Sequence, residues 1–242
     1  MKRKGLFTAL MLFVSVALVS VGFAAWVITG SANVTNNTGS FSVETEIKDM
    51  RVNLSDLDFG DDNGVIAFTG CDDTTNPDKW LHFDSAVKEN LSTTITATIS
   101  AVDPSYVGDV TITLAGNDAY TELFNKNIVG VLPTQNNGIS YTIGDYSLNE
   151  ETNKYEALIT ITITFTWGTK YYNEEANTCL NPLVYYNTLE QNTVNGNNAI
   201  DDLMALKSLN GENYTLNIII DSNYEYTTGD NTTVPTETET QE

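Results

Sequence analysis

Between residues 155 and 167 apolar and polar positions alternate. Ala157, Ile159, Ile161, Ile163, Phe165 and Trp167 fall on one side, Thr160, Thr162, Thr164 and Thr166 on the other. A period of two with β-branched residues on both sides is the pattern of a strand. Its aliphatic side should face a core near the centre of a sheet, and Gly168 should end it. The same period recurs in residues 94–102, where Ile95, Ala97, Ile99 and Ala101 alternate with Thr94, Thr96, Thr98 and Ser100 until Asp103 and Pro104. It recurs in 41–47, with Phe41, Val43 and Ile47 opposite Ser42, Glu44 and Glu46, and in Val110, Ile112 and Leu114. Residues 50–57, 128–132 and 214–221 read as further strands, the last buried through Leu216, Ile218, Ile219 and Ile220. Short apolar runs at 65–68 and 80–83 flank a polar loop at 70–78, and the acidic cluster 58–64 reads as a solvated turn.

Helical spacing is confined to three places. Residues 117–124 fit a single turn, and Asn181 followed by Pro182 is a cap and first-turn pair for a short helix through Tyr185, Tyr186 and Leu189. The third helix is expected over 199–209, capped by Asn198, with Ile200, Leu203, Met204 and Leu206 on its apolar side. Asp201 and Asp202 would then lie in its first turn and Lys207 in its last, complementing the macrodipole. These elements predict an all-β fold: a jelly-roll-like or Ig-like antiparallel β sandwich, with one or two short helices between late strands.

The two ends depart from this pattern. Lys2, Arg3 and Lys4 precede an uncharged run from 5 to 28, followed by small residues, which are the three parts of a secretory leader. The run exceeds the usual signal-peptide core of about 7 to 15 residues and is long enough, at roughly 20, to span a bilayer. Two outcomes stay open: cleavage at Ala24 or Ala25, or retention as a membrane anchor. A cut after Ala24 has Gly22 at the minus-three position, whereas a cut after Ala25 has Phe23 there. The chain thus divides into a signal peptide or anchor at 1–25, a β-sandwich domain at 26–225, and a tail at 226–242 too poor in apolar residues to offset its ordering entropy. The tail has no sorting signal for attachment to a cell wall.

Charge and composition narrow the chemistry. The chain has 11 basic and 32 acidic residues; without the leader cations, 8 face 32, a net charge of −24. Nucleic acid is excluded as a partner, since a phosphate backbone demands clustered Lys and Arg. Cys71 and Cys179 are the only cysteines. In an oxidising compartment they either pair, closing a loop worth up to about 4.7 kcal/mol, or stay two separate thiols. His82 is the sole histidine, too few for a Cys/His dyad or a histidine-built zinc site. No hydrolase, phosphate-binding or dinucleotide motif is present, so neither an enzyme nor a bound cofactor or metal is expected.

The basic leader, the long apolar run, the small residues before an aromatic (GFAAW), the strand SFSVETEI and then RVNLSDLDFGDD together resemble the exported proteins released by the SipW-type signal peptidase, the TasA/camelysin group. The resemblance covers about the first quarter of the chain. It implies a secreted or cell-surface protein of a Gram-positive bacterium, with a jelly-roll-like sandwich. Signal peptidase would be its partner during export, and other matrix subunits its partners afterwards. Some members of the group build biofilm matrix fibres by donating an N-terminal strand. Others have been described as metalloproteases, from which this chain departs through its single histidine.

The function expected is that of a surface or matrix subunit whose N-terminal strand, residues 26–47, either pairs with a neighbouring copy or folds back on its own sheet. The alternative is a glycan- or surface-ligand-binding module in which Trp167, Tyr171, Tyr172, Tyr185 and Tyr186 offer aromatic faces to sugar rings. An exposed coplanar pair would favour that alternative, and buried rings would count against it.

Overall fold

The computed structural model describes residues 30–34, 40–60, 64–69, 91–190, 192–209 and 212–223. Among them the chain begins with strands β1 (Gly30–Val34), β2 (Phe41–Ile47), β3 (Val52–Asp58), β4 (Ser92–Ala101) and β5 (Val107–Ala115), then helix α1 (Asp118–Asn125). Strands β6 (Thr134–Gln135), β7 (Gly138–Ile143), β8 (Ser147–Asn149) and β9 (Lys154–Thr164) follow, then the small pair β10 (Tyr172–Asn173) and β11 (Thr178–Cys179). Helices α2 (Pro182–Thr188) and α3 (Thr193–Lys207) precede the last strand, β12 (Tyr214–Ser222).

Two sheets form the sandwich. One runs β3-β4-β9-β7-β6, with β8 also paired to β9, and the other runs β1-β2-β12-β5. The strand with the strongest alternation, β9, is central: it pairs antiparallel with β4 from Ser92↔Thr164 to Ala101↔Tyr155, and with β7 on its other side. Its inward residues Ile159, Ile161 and Ile163 are fully buried. In the facing sheet Tyr214, Leu216, Ile218 and Ile220 of β12 do the same. Rings close one end of the seam, where Phe165 lies 5.0 Å from Tyr214, 5.5 Å from Phe68 and 5.7 Å from Tyr120.

The fold is the expected sandwich, with local departures. Strand β2 runs parallel to β12, so the sandwich is not wholly antiparallel. A parallel pair needs a long crossover, which here is most of the domain. Residues 128–132 form no strand: Val129 makes a single bridge to Trp167, and Pro133, which has no N–H, follows. Residues 139–143, not among the expected strands, pair as part of β7 with Ile139 buried. Helix α3 starts at Thr193 with Asn192 as its cap, the side chain accepting from the Asn195 N–H at 2.9 Å. Asn198 is therefore inside the helix, and Asp201 and Asp202 are well past its first turn. Several asparagines offer a cap there, and the one used is Asn192, beside which the Asn195 amide also donates to the Glu190 carbonyl at 2.7 Å. The leader with Ala24 and Ala25, the run 80–83 and the tail lie outside the described residues.

Where β2 turns into β3, Asp49 is buried and accepts from the Arg51 guanidinium at 2.8 and 2.5 Å, from the Arg51 N–H at 3.0 Å and from the Ser222 hydroxyl at 3.0 Å. Arg51 stacks 3.6 Å from the centre of the Tyr106 ring. This knot ties the β2–β3 turn to the end of β12. The bonds from Arg51, outweighing burial, hold the Asp49 carboxyl at about 2, below its ordinary 3.8. A depressed native value stabilises the fold above the unfolded value and is lost as pH falls through the native one, so the stabilisation should fade between pH 3.8 and about 2. Asp49→Asn should therefore cost about 1–2 kcal/mol at neutral pH, with the gap from the parent closing toward pH 2 in denaturant titrations.

Candidate functional site

Beyond β9 the chain leaves the sheet through Phe165, Thr166, Trp167 and Gly168 into a 3₁₀ turn, Thr169–Tyr171. Four of the five candidate aromatics gather here, but not as a stacking platform. Trp167 meets Tyr171 at 84°, and Tyr171 meets Tyr185 at 66° and Tyr186 at 69°. Such edge-on contacts are packing geometry. Tyr171 is fully buried, Tyr186 nearly so, and Trp167 and Tyr185 are half-buried. Tyr172, exposed, donates from its hydroxyl to Asn177 Oδ1 at 2.7 Å within the β10–β11 hairpin. The five residues therefore present no coplanar exposed pair, and Tyr171 and Tyr186 are withdrawn from ligand contact.

Their hydroxyls converge instead on Asp202. Tyr171 and Tyr186 donate to its Oδ2 at 2.9 and 2.7 Å, and Lys170 Nζ donates to its Oδ1 at 2.7 Å. Asp202 is 4% exposed. A carboxylate so deeply buried is tolerable only when its oxygens are hydrogen-bonded and its charge is met. Burial, reinforced by the Asp202 charge, pushes both phenols well above their ordinary range, so they remain protonated donors. The cluster binds α3 to the 3₁₀ turn and to α2. Its signal was present in the sequence: Ala199, Asp202, Leu203 and Leu206 follow helical spacing, which sets one acidic residue on the apolar stripe.

A second feature lies on the other side of Trp167. A groove of about 310 Å³ is bounded by Phe124 and Asn127 at the end of α1, by the 129–133 loop, by Thr164 at the end of β9, and by Thr166 and Trp167 beyond it. Its walls are tied together by backbone bonds from Gly130 N to Thr166 O at 2.7 Å, Gly168 N to Ile128 O at 3.1 Å and Lys170 N to Asn127 O at 3.1 Å. A side chain at Gly168 would collide with the Asn127 carbonyl, so the close approach requires glycine there. Of the groove residues, Trp167 alone was a candidate from the sequence. The others are far apart in the chain and share no motif.

Cys179 is half-buried, and Cys71, the partner considered for it, lies outside the described residues. Among the described residues no group of three His, Cys, Asp or Glu side chains is placed to hold a metal ion. No described helix is long and apolar enough to cross a membrane. Compared with known proteins, the chain matches no family model, and neither a curated protein nor a solved structure matches it significantly.

The Asp202 cluster makes a stability prediction. Asp202→Ala leaves two buried phenols and Lys170 without their acceptor and should cost about 3–5 kcal/mol. Tyr171→Phe, which removes one donor, should cost about 1–2 kcal/mol. Chemical denaturation of the two variants beside the parent gives both values.

Proposed function

We propose that the chain is an exported subunit of a bacterial surface or extracellular-matrix assembly, and that copies join by exchanging the strand that covers the edge of β2. The observation that carries this reading is the position of β1. It is the outermost strand of its sheet, paired antiparallel with β2 from Gly30↔Ile47 to Val34↔Val43. The same backbone bonds form whether β1 comes from its own chain or from a neighbour, so exchange costs little beyond opening the connection. That connection ends at Ser40, which is pinned. The Ser40 N–H donates to Gly64 O at 3.2 Å, its Oγ accepts from the Ile66 N–H at 3.0 Å, and its carbonyl accepts from the Tyr214 N–H at 2.8 Å. Only the chain before Ser40 has to move.

Other edges are less receptive. On β5 the Gln135 amide occupies a strand's place, its Oε1 accepting from the Ile112 N–H at 3.1 Å and its Nε2 donating to the Val110 carbonyl at 3.2 Å. On β3 a bulge between Ser55 and Asp58, with Asp56 at φ 53°, breaks the register. Such devices blunt edges against unwanted pairing. Neither device is present on β2, where a strand is already accommodated in register over five residues. The secretory leader and the excess of acidic residues suit an extracellular subunit.

In negative-stain microscopy the chain from residue 26 onward should form filaments, and deletion of residues 26–39, which keeps Ser40, should leave a folded monomer that forms none. Filaments that persist in the deletion would rule out exchange at β2.

A further inference from the structure

We propose that the groove beside Trp167 binds a neutral saccharide, and that the threonine rows of the adjoining sheet extend this site along a polymer chain. The first argument is charge. None of the residues lining the groove is charged, on a chain with 32 acidic residues and a net charge of −21. A cleft without carboxylates is not built for a cation, and one without Lys or Arg is not built for an anion.

The second argument is the mixture of surfaces. Phe124 and Val131 stand 41% and 58% exposed at the rim, and Trp167 is half-buried between them and the core. Beside these apolar surfaces lie the exposed amides of Asn127 and Asn137 and the hydroxyls of Thr166 and Thr169. A pyranose ring has an apolar face of C–H groups and a periphery of hydroxyls that both donate and accept. Aromatic and aliphatic walls match the face, and amides and hydroxyls match the periphery. At about 310 Å³ the groove is at the small end of ligand sites, the size for one or two sugar residues rather than a long oligomer.

The third argument is preorganisation. Edge contacts from Phe68 at 6.0 Å and Tyr171 at 6.4 Å hold the Trp167 ring, and the bridge to Val129 holds its backbone. Asn127, at φ 59°, is fixed further by the Thr169 hydroxyl donating to its Oδ1 at 3.3 Å. A ligand therefore has little left to order on binding.

Thr164 connects the groove to the outer face of the sheet. It faces Ser92 across the ladder with hydroxyls 3.0 Å apart, and the next pairs along are Thr162↔Thr94 and Thr160↔Thr96. Side chains two apart on a strand repeat every ~6.6 Å on one face. The result is a hydroxyl-lined track leading away from the groove, bounded by Asp58 where β3 pairs with Thr96, along which a neutral polysaccharide can continue past the Trp167 subsite.

Cellohexaose, chitohexaose and mannohexaose, with hexagalacturonate as the anionic control, should be titrated into the chain from residue 26 onward. Tryptophan emission and calorimetry provide the readouts. At least one neutral oligosaccharide should bind saturably, and the galacturonate should not. Phe124→Ala removes an exposed wall, and Asn127→Asp keeps the Thr169 acceptor while replacing the amide donors with a charge. Each should weaken binding roughly tenfold with the melting temperature unchanged. Absence of saturable binding by all three neutral probes would overturn the proposal, as would equal binding of the anion or affinities indifferent to both substitutions. Filament formation is scored separately, because neither substitution touches β1 or β2.

Discussion

The fold depends on the seam between β9 and β12. Each strand presents a row of aliphatic side chains to the other sheet, and the residues in the middle of both rows are fully buried. Removing one such side chain from water is worth about 1.5–3 kcal/mol, so the two rows dominate what holds the layers together. A slip of one residue in either strand would turn its whole row outward and its threonines or asparagines inward. Register is therefore strongly specified at the centre and less so toward the edges. The bulge in β3 and the plug on β5 occur at these edges.

The parallel pairing of β2 with β12 joins segments more than 170 residues apart. It closes the second sheet and brings the N-terminal part of the domain beside its last strand. It is a non-local contact that local sequence cannot form on its own, and it sets β1 and β2 beside the strand that ends the domain.

The end of the molecule around Trp167 combines two opposite solutions for polar groups. On the buried side, Asp202 gathers two phenols and an ammonium group, which satisfies a carboxylate that would otherwise be too costly to bury. On the open side, amides and hydroxyls face solvent with no charge among them. Tyr171 joins the two, donating to Asp202 on one side and packing edge-on against Trp167 on the other.

Much of the sandwich was legible because alternation depends on local sequence. Wherever branched apolar residues recur every second position, as in β4, β5, β9 and β12, one face must leave water, and the strand follows from that alone. Asn181 with Pro182 announced α2 for a similar local reason, by capping chemistry. The start of α3 was misplaced because several neighbouring asparagines offer a cap, and the one used is Asn192, whose side chain accepts from the Asn195 N–H, rather than Asn198. Residues 128–132 have a strand's composition, but one partner bridge and a following proline leave them no ladder to join. The aromatic cluster was visible as composition. Whether a ring is a platform or a core residue depends on what lies across from it, and that is long-range. By itself the sequence determined that the strongly alternating segments become strands and which of their faces turn inward, because both follow from the period of the side chains. Tertiary structure alone decided that Asp202 meets Tyr171 and Tyr186, that Phe124 meets Trp167 across a neutral groove, and that β1 covers β2. Those juxtapositions join residues whose spacing in the chain carries no trace of their contact.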